Sequence, residues 1–173
     1  VEIVGSNGSG KTSLLRCILG LVEKKKGEIL WKGQSLKESK ASFLKSCLYQ
    51  GHELALKTSF TALENLIYSH LSFGIKEEKI LSALRDVGLA DFKSRTSSDL
   101  SMGQLKRLAI AKWLICDHEL HLIDEPFASL DQEGVHLVIK MIKKLNSRGC
   151  SFLFTSNRLS QIDSKEIHLD DYS

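Results

Sequence analysis

Proline occurs once in 173 residues, at Pro126, which excludes a proline-rich linker or a collagen-like repeat. Long apolar runs are missing too. Stretches such as 108–111 and 113–116 are split by Lys112 and fall far short of the roughly 20 residues a membrane helix needs. Neither sign of charge dominates: the formal net charge is +3 and the basic residues are scattered, so charge gives no footprint for nucleic acid. Lys24-Lys25-Lys26 reads as a solvated loop, with a lipid-headgroup contact as the alternative. Cysteine is sparse, and no pair among Cys17, Cys47, Cys116 and Cys150 has metal or redox spacing. They read as small buried hydrophobes in a reducing compartment. What remains is 42% hydrophobic and 26% charged, the composition of one globular domain able to bury a core, not of a disordered or coiled-coil chain. Residue 1 is Val1, not Met, and the chain enters directly on an apolar strand; we expect an N-terminal fragment.

Residues 1–4 form an apolar run before a glycine-rich turn over 5–10, and 11–19 carry a helical stripe at Leu14, Leu15, Ile18 and Leu19 that Gly20 stops. Strands are expected at 28–31, before the Lys32-Gly33 turn, and at 47–50, before Gly51. From about 57 to 96 the character is helical: Thr61 and Glu64 make a capping box, and Ile80, Leu84 and Val87 a stripe ending at Gly88. Another helix follows Leu100-Ser101. After it come a strand at 120–123, a helix with Val135, Val138, Ile142 and Leu145 on one face, and a strand at 151–155. Strands alternating with helices predict a parallel sheet.

Gly5-Ser6-Asn7-Gly8-Ser9-Gly10-Lys11-Thr12 matches the Walker A pattern in full, between a strand and a helix. The glycines let successive N–H groups turn inward onto phosphate oxygens, and the helix N-terminus adds partial positive charge. Lys11 is placed to neutralise the terminal phosphates and Thr12 to offer a hydroxyl to Mg²⁺. The strand at 120–123 delivers Asp124 and Glu125 at its C-terminal end. Asp124 is expected to hold Mg²⁺ through water, and Glu125 to polarise the attacking water. His121 is assigned no chemistry.

Leu100-Ser101-Met102-Gly103-Gln104 resembles the LSGGQ signature of ATP-binding-cassette (ABC) ATPases, with Met102 replacing the first glycine. Ala128-Ser129-Leu130-Asp131 resembles their D-loop, and the motifs stand in the family's order. The resemblance implies an α/β fold of the P-loop NTPase (ABC ATPase) type, a parallel sheet flanked by helices plus a small helical subdomain, with the N-terminal antiparallel strands missing. It divides the chain into a nucleotide-binding core, 1–57 and 115–173, and a helical subdomain, 58–114. It also implies ATP and Mg²⁺ as cofactors, and a homodimer sandwiching nucleotide between Walker A of one chain and Ser101, Gly103, Gln104 and Asp131 of the other. Partners would include an integral membrane transporter subunit and no nucleic acid.

Gly51-His52, Lys57-Thr58, Leu63-Glu64-Asn65-Leu66, Trp31-Lys32-Gly33-Gln34-Ser35-Leu36, and Asp124 to Asp131 followed by Gly134-Val135 narrow the resemblance to the ATPases of cytochrome c maturation. That subgroup implies haem export for c-type cytochrome biogenesis, from a peripheral position on the cytoplasmic face of the inner membrane or on the mitochondrial matrix face. An ATPase of another ABC transporter, or an ATP-gated scaffold with vestigial hydrolysis, are the alternatives. Two further positions depart from the family. Its glutamine, which senses Mg²⁺ and the attacking water, is matched by Glu53, or by Gln50 if the loop has slipped. Its γ-phosphate histidine is matched by Asn157, a neutral donor that cannot shuttle a proton; Glu53 or Arg158 are the candidates to compensate.

Overall fold

The computed structural model describes residues 1–157, 160 and 162–172, which divide into two compact units: Val1–His52 with His118–Ala128 and Gly149–Ser173, and Glu53–Asp117 with Ser129–Arg148. Arg158 lies outside the described residues.

The first unit is built on β1 (Glu2–Val4), α1 (Lys11–Ile18), β2 (Leu30–Trp31), β3 (Gln34–Ser35), α2 (Leu36–Ser46), β4 (Cys47–Gln50), β5 (Leu120–Ile123), β6 (Ser151–Ser156) and β7 (Glu166–His168). Five strands form one sheet in the order β4-β5-β6-β1-β7, and every pairing is parallel. Parallel strands covered on both faces read as continuous apolar runs. In keeping with this, all three residues of β1 and the last three of β5 are buried. Ile3, Leu15, Leu19, Phe43 and Leu122 make the core between the sheet and its helices, with Trp31 edge-on to Phe43 at 5.2 Å.

Because all five strands run the same way, their C-terminal ends share one edge of the sheet. The register pairs Val4 with Ser156, Ile123 with Phe154, and Gln50 with Ile123. In open α/β sheets that edge is where ligands bind, and every strand-end motif above leaves from it.

The elements α2, β3 and β7 were not expected. The helix α2 has a thin apolar stripe, with only Ser39 and Phe43 buried, too sparse to signal a period. The edge strand β7 is three residues long with one apolar member, Ile167. The strand expected at 28–31 is instead the two-residue arm of a hairpin, turned by Lys32 (φ 50°) and Gly33 (φ 81°); two successive positive φ values suit a tight hairpin.

The second unit carries α3 (Ala62–Ser69), α4 (Glu77–Asp86), α5 (Met102–Ala111) and α6 (Gln132–Asn146). The Thr61–Glu64 capping box opens α3, its two backbone-to-side-chain bonds at 2.8 and 3.1 Å. Asn65 is buried because its amide ties the segment before α3 together. Oδ1 accepts the Lys57 N–H (2.8 Å), while Nδ2 donates to Lys57 O (2.9 Å) and Ser97 Oγ (2.9 Å). Leu66, Leu84, Leu108, Trp113, Val138 and Met141 fill the interior. The stripe read from α6 is realised at Val138, Ile142 and Leu145, whereas Val135 is half-buried.

Candidate functional site

The loop between β1 and α1 is shaped by two left-handed residues, Gly8 (φ 88°) and Gly10 (φ 97°), conformations costly for any residue with a Cβ. Gly5 is needed for space: a Cβ there would lie 2.5 Å from Ser9 Oγ. Gly10 is the N-cap of α1 and offers no side-chain cap, so the orphan N–H groups of the first turn remain for a guest. Among the described residues Ser9 Oγ is buried without a hydrogen-bond partner, and such a hydroxyl fits an acceptor-rich anion, since a buried unpaired polar atom is costly. The Lys11 ammonium is buried, donating to Gly5 O at 2.8 Å and Ser6 O at 2.9 Å. The loop's outer turn is pinned from a distant part of the chain. Asp170 accepts both the Ser6 N–H (3.0 Å) and the Ser6 hydroxyl (2.9 Å), a partner that sequence reasoning missed because nothing local marks it.

The same unit brings the acidic pair to this loop. The Thr12 hydroxyl donates to Asp124 Oδ2 at 2.8 Å. The Asp124 N–H donates to Gln50 O (2.8 Å), which places Gln50 at the end of β4 beside it. Asp124 is buried and Glu125 half-buried. Thr155, fully buried in β6, donates its hydroxyl to Asp124 Oδ1 (2.7 Å) and accepts the Glu125 N–H (2.9 Å). Its role is invisible in the sequence, where it ends an apolar strand. Glu125 itself sits at φ 51°, a left-handed backbone for a non-glycine residue. A hydroxyl and a carboxylate at 2.8 Å are hard oxygen donors suited to Mg²⁺. Among the described residues no group of three or more His, Cys, Asp or Glu could hold a metal ion.

In the second unit Ser101 caps α5 in a full capping box: its hydroxyl accepts the Gln104 N–H (3.3 Å), and Gln104 Oε1 accepts the Ser101 N–H (2.9 Å). Asp131 caps α6, accepting the Gly134 N–H at 2.7 Å. Both helix starts line a pocket of about 440 Å³ together with Met102, Gly103 and Arg107. Ser129 stands at φ 52°, and its carbonyl accepts the Lys106 ammonium at 2.8 Å.

Glu53 opens this second unit and is exposed. The two residues after it are held: the Lys112 ammonium donates to Leu54 O (3.1 Å) and Ala55 O (2.7 Å), with Ala55 at φ 49°. Asn157, exposed, follows the last residue of β6. Gly5 to Thr12, Asp124 and Glu125 are therefore assembled in one unit, and Ser101, Gly103, Gln104 and Asp131 in the other.

Burial pushes the Lys112 ammonium down to about 8. Burial first, then the charges of Lys112 and Lys79, also lower His70. A folded-state lysine pKa below the unfolded value of 10.5 means the unfolded chain binds the proton more tightly between the two. Stability must therefore rise with pH from about 8 to 10.5. Between pH 8 and 9 the gain is about 1 kcal/mol, or a Tm increase of roughly 2–4 °C. Above pH 9 it is opposed by Cys47, whose thiol burial pushes up to about 12, so that stability falls as pH rises through 9–12. Thermal melts at pH 8 and 9 should show the rise in the native chain and its loss in Lys112→Met. Equal slopes in both would refute the assignment.

The ABC transporter family matches residues 1–128. A cytochrome c biogenesis ATP-binding export protein CcmA from Aliivibrio fischeri is 36% identical over 168 residues, spanning 96% of this chain and 82% of the relative. The protein of the same description from Escherichia coli K12 is 39% identical over 166 residues, spanning 95% and 79%. An ABC transporter ATP-binding protein from Pyrococcus furiosus superposes with a TM-score of 0.82 at 25% identity, spanning 99% of this chain and 86% of that one. An ATP-binding cassette of an ABC transporter in its ADP conformation superposes at 0.76 with 24% identity, spanning 92% and 70%.

Proposed function

This chain belongs to the ABC transporter family as an ATP-binding subunit, and from that premise we propose that it hydrolyses ATP to energise a membrane complex for c-type cytochrome biogenesis. The observation that carries the reading is the 2.8 Å contact between the Thr12 hydroxyl and Asp124, which puts the phosphate loop and the acidic pair into one constellation. Gly5 to Gly10 cradle the phosphates, Lys11 faces them, and Thr12 and Asp124 would hold Mg²⁺, whose charge would neutralise developing phosphate charge. Glu125 accepts the proton of the attacking water. Glu53 serves as the metal- and water-sensing residue and Asn157 as the γ-phosphate donor. Ser101, Gly103, Gln104 and Asp131 meet the nucleotide of a second copy in a homodimer, with 58–114 as the helical subdomain and 1–57 with 115–173 as the core. The chain takes a peripheral seat on an integral membrane partner, at the cytoplasmic or matrix face; no helix among the described residues is long and apolar enough to cross a membrane. The name of the CcmA relatives supports export in cytochrome c biogenesis; haem is the proposed cargo.

One feature favours a second reading, an ATP-gated scaffold with vestigial hydrolysis: Asn157 offers a neutral, exposed amide where a proton-competent group would be expected. Phosphate release by the full-length protein reconstituted with its membrane partner separates the two. Replacing a histidine donor by asparagine retains one hydrogen bond, so the deficit should be about tenfold, smaller than the roughly hundredfold cost of outright loss. Asn157→His is therefore expected to raise turnover about tenfold at unchanged MgATP affinity. No turnover in either form would leave the scaffold reading.

A further inference from the structure

Thr155 is fully buried, and both hydrogen-bonding directions of its hydroxyl are used across two neighbouring residues. A threonine hydroxyl has one proton and two lone pairs. With the proton given to Asp124 Oδ1 at 2.7 Å, a lone pair must receive the Glu125 N–H at 2.9 Å. The polarity of this relay cannot reverse, because a carboxylate and an amide N–H offer one role each. Asp124 is also fixed on its other oxygen by Thr12 (2.8 Å). The backbone of Glu125 is left-handed at φ 51°, a conformation that persists only where the surroundings over-determine it. Two contacts do so: the N–H on Thr155, and the Glu125 carbonyl, which accepts the Ala128 N–H at 3.1 Å. Pro126 between them contributes no N–H.

We propose that Thr155 is a positioning residue for the hydrolytic step: its hydroxyl locks the left-handed backbone of Glu125 to the orientation of the Asp124 carboxylate. The metal-facing and water-facing acids then move as one piece. The proposal rests on the reading of Asp124 and Glu125 as hydrolytic residues, and its test has a readout independent of that reading.

Thr155→Val keeps shape and removes the hydroxyl; Thr155→Ser keeps the hydroxyl and removes a methyl. In the full-length protein, free of nucleotide and metal, hydrogen exchange at the Glu125 amide should accelerate at least tenfold in Thr155→Val. It should return to within about threefold of native in Thr155→Ser, while amides of β1 stay unchanged. With MgATP, kcat of Thr155→Val should fall about 10- to 100-fold with KM within about threefold, and Thr155→Ser should recover it. Unchanged exchange at Glu125 in Thr155→Val would overturn the proposal, as would exchange accelerated equally across β1. If Thr155→Val does not fold, Thr155→Ala removes the hydroxyl without setting a methyl against the carboxylate, and the same comparison decides. Failure of the underlying reading is seen separately, as undiminished phosphate release in Glu125→Gln; the exchange result then still decides whether Thr155 positions the segment.

Discussion

Lys11→Ala is expected to weaken MgATP binding by at least about 100-fold, close to 3 kcal/mol. Lys11 is 6% exposed, and its ammonium rests on the carbonyls of Gly5 and Ser6 at 2.8 and 2.9 Å. Two of its three N–H groups thus point back at the loop it serves. Among the described residues this cation meets neutral carbonyls and no carboxylate, so it lacks the ionic partner a buried charge ordinarily has. A triphosphate supplies it in a charge-assisted contact, stronger than a neutral one. In the alanine variant the phosphates meet backbone dipoles alone. The loop itself should persist, since its course is set by Gly8, Gly10 and the Ser6–Asp170 bonds. Calorimetric titration with MgATP, beside a thermal melt that verifies folding, checks the prediction. Superimposable titrations for variant and native protein would remove Lys11 from the phosphate site.

The geometry of the glycine-rich loop, the acidic pair and the start of α5 was legible because each is a local pattern in which spacing and residue type imply the conformation. A glycine at a left-handed position, a serine at a helix start and carboxylates at a strand exit carry their physics with them. The capping box at Thr61 and Glu64 was readable for the same reason, since both of its bonds close within three residues. What escaped was non-local. Thr155 meets Asp124 across 31 residues and Asp170 meets Ser6 across 164, and no local pattern encodes such pairs. Lys112 read as an interruption of an apolar run, because its partners are backbone carbonyls at Leu54 and Ala55, to which any sequence contributes. The short β7 and the thinly apolar α2 escaped through weakness of period: with one apolar residue in three, or two buried positions in eleven, only the finished sheet makes them intelligible.

Glu125→Gln should leave MgATP affinity within a few fold of native while lowering phosphate release about 100- to 10,000-fold, the range a positioned general base contributes. The substitution preserves side-chain length and spares the backbone, so the Glu125 N–H keeps its bond to Thr155 and its carbonyl the turn to Ala128. What is lost is the capacity to take a proton, since an amide oxygen accepts a hydrogen bond but holds no proton near neutral pH. On the proposed reading binding depends on Gly5 to Thr12, which this change does not touch. The loss should therefore fall on kcat and not on KM, the mark of an interaction made in the transition state. The variant also bears on the scaffold reading. If hydrolysis were vestigial, native protein and Glu125→Gln would share the same residual rate, and nucleotide would already be retained by the native form. A native rate at least 100-fold above the variant, measured in the reconstituted complex, excludes that reading. Equal rates would instead make Glu125 a second structural carboxylate at the end of β5 and leave the chain an ATP-dependent clamp.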